Sequence, residues 1–254
     1  MVMKSIISWK RREAVSNVIQ EFSRFAHEYD SYNVIQAEVA KALVEQLPPS
    51  HYTTLIDIGC GSGEVYKNLE KHNLSFDQLL ALDSSPEMLE IHPSSKKIKK
   101  ICADFNQVQT FENFSFTPEN FLLSSSALQW SKDLDFTLSE ISKKSSSAYF
   151  AIFTSNTFKT LHETAQVTSP IYSEIVLRET IQKYYRAAFE LKKYKLHFEN
   201  VREMFNYIKK SGVSGGEKQL TYKQTKQLMK SYPLDYLEFE VLFVKAVSLA
   251  LPSA

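Results

Sequence analysis

The chain has 254 residues, 43% of them apolar and 23% charged, which is enough for one large domain or two small ones and too balanced for a disordered or fibrous protein. Thirty Lys and Arg against 29 Asp and Glu leave a formal charge of +1, without the basic excess of a nucleic-acid or membrane-surface binder. No apolar run reaches the roughly 18 residues of a membrane span, and Met1–Trp9 is too poor in apolar residues for a signal-peptide core, so a cytoplasmic protein with two free thiols, Cys60 and Cys102, is expected.

Along the chain, Val18, Phe22, Phe25 and Tyr29 recur at helical spacing within a helical region from Trp9 to Leu47 that Pro48-Pro49 ends. Alternation follows. Strands are expected at 54–58, 78–82, 98–103, 120–124 and 148–153, and helices at 64–72, 86–91 and 134–142. This order implies right-handed crossovers and a mostly parallel, doubly wound α/β sheet. Residues 157–200, with Tyr184, Tyr185, Arg186, Phe189 and Tyr194, read as a helical insertion. Helices at 201–210 and 224–230 and a final strand from Leu237 to Val247 complete the pattern, with a glycine turn at Gly212, Gly215 and Gly216.

Glycine is scarce, six residues in all, yet Gly59, Gly61 and Gly63 fall in one turn between a strand and a helix. Ligands of open parallel sheets sit at the carboxyl ends of strands, where glycines let the backbone come close. Glu64 stands where a dinucleotide fingerprint needs its third small residue, and its carboxylate at a helix N-terminus repels a pyrophosphate. No Lys-Ser/Thr pair follows, which excludes a P-loop. A phosphate-free adenosyl cofactor suits the turn better. Asp83 closes the second strand and can accept from both ribose hydroxyls; Asp104 and Phe105 after the third can hold an adenine edge and face. Each of these acids, taken alone, can equally be a helix cap.

With those residues in order, the chain resembles the class I S-adenosylmethionine-dependent methyltransferases. Residues 57–63 match their first motif, 82–89 their second and 103–105 their third. The resemblance implies a seven-stranded sheet whose last strand is antiparallel. It also implies S-adenosyl-L-methionine contacts from Asp57, Gly59, Cys60, Gly61, Gly63, Asp83, Ser84, Met88, Asp104, Phe105 and Ser124. The family's Gly-Gly turn before strand five is replaced by Lys143-Lys144-Ser145-Ser146-Ser147.

A narrower resemblance, to the malonyl-[acyl-carrier protein] O-methyltransferases of biotin synthesis, comes from residues 21–30 with Gln36 and Val39-Ala40, from Ser124 to Trp130, from Thr154 to Glu163 and from Ile208 to Val213. Trans-aconitate and ubiquinone-type methyltransferases share parts of it. It implies one domain over 1–254: a helical cap to residue 50, a cofactor core at 51–154, a helical lid insertion at 155–200 and the rest of the sheet at 201–254. It further implies methyl transfer to the free carboxylate of a malonyl thioester on acyl-carrier protein.

A carboxylate is already a nucleophile, so alignment and desolvation suffice, and neither a triad nor a metal is expected. Tyr29, Gln129 and Trp130 are candidates to shape the acceptor pocket, although Tyr29 also continues an apolar helix face and Trp130 can anchor the sheet. Arg178, Lys183 and Arg186, among interleaved tyrosines, are candidates to dock an acidic carrier protein, with an ordinary solvated helix face as the alternative. Two other readings remain: methylation of a small free acid or quinone precursor, and cofactor binding without turnover. No nucleic-acid or membrane partner is expected.

Overall fold

The computed structural model describes residues 32–112, 117, 119–210 and 220–250. The candidate Tyr29, most of the N-terminal helical region and the turn at 212–216 lie outside them. In chain order the elements are α1 Val34–Val44, β1 Tyr52–Ile58, α2 Glu64–Lys71, β2 Phe76–Asp83, α3 Pro86–Ile91, β3 Ile98–Cys102, α4 Val108–Glu112 and β4 Asn120–Ser125. A 3-10 turn at Leu128–Trp130 follows, then α5 Leu134–Ser142, β5 Ser147–Phe153, α6 Lys159–Ala165, α7 Glu174–Tyr184, β6 Tyr185–His197, α8 Val201–Lys210, α9 Tyr222–Ser231 and β7 Tyr236–Ser248.

The seven strands form one sheet in the order β3-β2-β1-β4-β5-β7-β6. β1 to β5 run parallel, and β7 is antiparallel to both neighbours. The central strands are covered on both faces, as their unbroken apolar runs require. Leu55 faces a layer built with Val44 of α1 and Leu69 of α2, whereas its neighbour Ile56 faces Leu138 and Ile141 of α5 and Leu177 and Ile181 of α7. A third layer, with Phe153, Phe158, Tyr207 and Phe239, packs α1, α6, α8 and α9 against β5 and β7. Side-chain caps fix several helix starts: Ser85 accepts from Met88 N–H, Asp133 from Phe136 N–H and Ser173 from Val176 N–H, and Thr221 forms a capping box with Gln224.

The insertion read as helical over 157–200 is corrected. Only Lys159–Ala165 and Glu174–Tyr184 are helical there; residues 185–197 are β6, the long edge strand paired with β7 from Tyr185–Ser248 to His197–Tyr236. The inward face alternates on odd positions through Leu191 and on even positions from Lys192, so no clean two-residue period marks the strand. Among the described residues no helix is long and apolar enough to cross a membrane, and both cysteines are free.

Candidate active site

The strand order reverses between β1 and β4, and the loops after these two strands line one cavity at that switch point. The glycine turn forms one wall. All three glycines have positive φ, 72°, 51° and 87° for Gly59, Gly61 and Gly63, but for different reasons. A Cβ on Gly59 would stand 2.2 Å from Ala127 Cβ, so the loops after β1 and β4 touch there. A Cβ on Gly63, the left-handed N-cap of α2, would meet Pro93 Cδ at 2.7 Å. Around Gly61 a Cβ meets nothing within 4 Å, because that residue borders the open cavity.

Backbone hydrogen bonds set the turn: Gly59 and Cys60 N–H both donate to Leu82 O, at 2.8 and 2.9 Å. Gly61 N–H donates to Asp83 Oδ2, and Ser85 N–H donates to Asp83 Oδ1, each at 2.9 Å. Further along the strand ends, Asp104 Oδ1 accepts from Asn106 N–H and Nδ2–H at 2.9 and 2.8 Å, with Lys132 Nζ 3.7 Å from its other oxygen.

The cavity measures about 890 Å³ including its open mouth. Glu64, Asp83 and Asp104 bring carboxylates to its wall, and no Lys, Arg or His is among the described residues that line it. Behind it, Asp57 is fully buried and neither carboxyl oxygen has a hydrogen-bond partner. Burial, reinforced by the charge of Asp83, pushes the Asp57 carboxyl up to about 8. Burial raises Asp83 as well, but the N–H groups of Ser85, Gly61 and Ser84 counter it. Of the two acids, Asp83 with its three donors is the one that carries the charge, and Asp57 the one that keeps a proton. Burial likewise lifts the Cys60 thiol, which stays neutral.

Of the residues expected from sequence, Gly59, Cys60, Gly61, Asp83, Ser84, Met88, Asp104, Phe105 and Trp130 line this one cavity. Four do not. Asp57 is sealed beneath the turn, Gly63 sits at the rear against Pro93, and Ser124 spends its hydroxyl on Ile58 O at 2.8 Å inside the sheet. Gln129 is buried with Nε2 donating to Ser126 O at 2.6 Å. Sequence reasoning passed over Gln36 on α1, Ser62, Asn106, Ser125 and Ser126, which do line the cavity.

The three docking candidates stand elsewhere, on α7 and β6. Arg178 Nε bonds Glu174 Oε1 at 2.7 Å and its guanidinium lies 4.6 Å from the Phe189 ring centre; Lys183 bonds Asp135 at 2.7 Å. Arg186 is opposite Val247 across the β6–β7 ladder.

The lining accommodates an adenosyl cofactor. Its acids suit a sulfonium cation and ribose hydroxyls. The oxygens of Ser62, Ser125 and Ser126 and Gln36 Oε1 are buried without partners, which leaves hydrogen bonds to be made by a polar ligand. Glu64 at the start of α2, paired with Lys67 at 2.7 Å, disfavours a phosphate there. Residues 56–146 match a family described as a methyltransferase domain. This is an S-adenosylmethionine-dependent methyltransferase.

The methyltransferase is 26% identical over 242 residues to malonyl-[acyl-carrier protein] O-methyltransferase of Acetivibrio thermocellus, an alignment spanning 83% of each chain. It is 24% identical to the protein of the same name from Hamiltonella defensa, over 89% of this chain and 90% of that one. Among solved structures, the YcgJ protein of Bacillus subtilis superposes with a TM-score of 0.61 at 9% identity, covering 84% of this chain and 99% of that one. Phosphoethanolamine N-methyltransferase 2 of Haemonchus contortus, in complex with S-adenosyl-L-methionine, gives 0.51 at 16% identity over 82% of this chain and 51% of that one. These two likenesses concern the fold.

Proposed function

We propose that this methyltransferase esterifies the free carboxylate of a malonyl group carried as a thioester on acyl-carrier protein, a step of biotin synthesis. One observation carries the reading. The methyltransferase-domain match ends at residue 146, whereas the sequence similarity to proteins named for this reaction spans 83–89% of the chain in the alignments above and so takes in segments after β4 as well as the cofactor core.

The residues divide the work. Asp83, which keeps acceptor capacity beyond the N–H groups of Gly61, Ser84 and Ser85, takes a ribose hydroxyl. Asp104 and Phe105 take the adenine, and Glu64, Asp83 and Asp104 together favour a cation. S-adenosylmethionine supplies a methyl group on a sulfonium sulfur. A malonyl carboxylate would already carry the electron pair that accepts such a methyl group, so these residues would align it and hold out water without having to move a proton. Trp130, 8% exposed and lodged between the cavity and the aromatic layer, walls the acceptor side from water.

The experiment compares labelled methyl transfer to malonyl-carrier protein with transfer to free malonate and other small acids. Transfer confined to the carrier-bound group is expected. Transfer to free acids alone would replace this reading with that of a small-molecule methyltransferase.

A further inference from the structure

Ser124, Ser125 and Ser126 end β4 side by side and behave differently. Ser124 is committed to the sheet through Ile58 O. Ser125 and Ser126 border the cavity, and both hydroxyls are closed off from water with no hydrogen-bond partner. A buried polar group left unpaired is costly, so such a pair marks bonds waiting for a ligand. Both residues are themselves only half-buried and both line the cavity, so another χ1 rotamer is open to each hydroxyl.

Ser126 is also held in place with unusual thoroughness. Its φ of 59° is left-handed, a region that costs a non-glycine residue free energy and persists only where the surroundings impose it. Here they do: Ser126 N–H donates to Ala151 O of β5 at 2.8 Å, and Ser126 O accepts from Gln129 Nε2 at 2.6 Å. The backbone is pinned from the sheet on one side and from the 3-10 turn on the other.

We infer that the Ser126 hydroxyl, with Ser125 beside it, donates to the acceptor carboxylate, and that Gln129 is a positioning residue acting through the Ser126 carbonyl. This rests on the proposal that the acceptor is a carboxylate. An anion brought among Glu64, Asp83 and Asp104 needs hydrogen-bond donors. Neutral hydroxyls provide them while leaving the carboxylate's charge, and so its nucleophilicity, in place. One carboxylate oxygen receives the serine hydrogen bond and the other is left to attack.

The test uses the full chain, with S-adenosylhomocysteine for calorimetric binding and a malonyl thioester of N-acetylcysteamine as acceptor. Ser126→Ala is expected to raise KM for the thioester about tenfold and to leave S-adenosylhomocysteine affinity within about twofold. Ser126→Asn, which tolerates left-handed backbone and brings an amide donor, is expected to recover part of that loss. Gln129→Leu should raise the same KM; if it fails to fold, the two Ser126 variants decide. An unchanged KM in Ser126→Ala, or a fall in S-adenosylhomocysteine affinity to match, overturns the assignment while leaving the malonyl reading intact. A wild type that takes only the carrier-bound group is assayed with malonyl-carrier protein under the same expectations, and one that methylates neither malonyl-carrier protein nor the malonyl thioester overturns that reading, and this inference with it, before any variant is made.

Discussion

Gly61 donates its N–H to Asp83 Oδ2 at 2.9 Å, so the middle of the glycine turn after β1 hangs from the acid that closes β2. With Ser85 on the other oxygen and Ser85 Oγ capping α3, the turn, the second-strand acid and the next helix form one connected device.

Replacing Asp83 by Ala therefore removes the ribose acceptor and loosens the turn together. Cofactor affinity should fall by about 1.5–3 kcal/mol, the scale of hydrogen bonds to a charged group. Titration calorimetry on the folded variant checks this, and unchanged affinity would remove Asp83 from the cofactor site.

Gly59 and Gly61 should separate cleanly. Gly59→Ala drives a Cβ to within 2.2 Å of Ala127 Cβ at positive φ and should destabilise the fold by about 2 kcal/mol or more in thermal melts. Gly61→Val puts its Cβ where no atom lies within 4 Å, so its cost to the fold is the strain of a β-branched residue at φ 51° rather than a clash, and the folded variant should lose the cofactor, because its side chain takes the space the ligand needs. Normal cofactor binding by Gly61→Val would make the turn purely structural.

Asp57 ties stability to pH. Its carboxyl is raised from 3.8 to about 8 by burial and by Asp83, so the folded protein holds a proton that the unfolded chain releases. Its contribution to stability is therefore lost as pH climbs from about 4 to about 8, by at most about 1.4 kcal/mol per pH unit. Asp57→Asn should flatten that slope. Melting temperatures of both forms across pH 5 to 8 read it out, and parallel curves would show Asp57 to be uninvolved.

Much of this site was legible because it depends on single residues at strand ends: glycines that need positive φ, and Asp83 and Asp104 where parallel strands stop. Regions governed by environment were harder. Leu122, Leu123, Ser124 and Ser125 lie in a strand covered on both faces, so nothing in their order tells which serine meets the cavity, and Ser124 was read in place of Ser125. Gln36 reaches the cavity from α1, distant in sequence, by a packing of α1 on α2 that no local pattern announces. In β6 the alternation changes phase between Leu191 and Lys192, which hid a strand among lysines and aromatics.

Carrier docking through α7 and β6 predicts a selective effect. Arg178 is best left alone, since Glu174 and Phe189 engage it and its loss would disturb the fold. Lys183, bonded to Asp135 at 2.7 Å, is better cut to Ala than reversed; Lys183→Ala with Arg186→Glu should raise KM for malonyl-carrier protein and spare that for a small malonyl thioester. Salt above about 0.15 M, where the Debye length falls to about 8 Å, should slow the carrier reaction of the wild type in the same selective way. Equal losses with both substrates would assign these residues to the fold.

The most direct measurement offers the enzyme labelled S-adenosylmethionine with malonyl-, succinyl- and acetyl-carrier protein and identifies the product by mass spectrometry and by sensitivity to mild base. The account predicts a base-labile methyl ester on the malonyl group, less or none on succinyl, and none on acetyl, which has no free carboxylate. Label on acetyl-carrier protein, or on none of the three while a free acid or a quinone precursor accepts the methyl group, would contradict it.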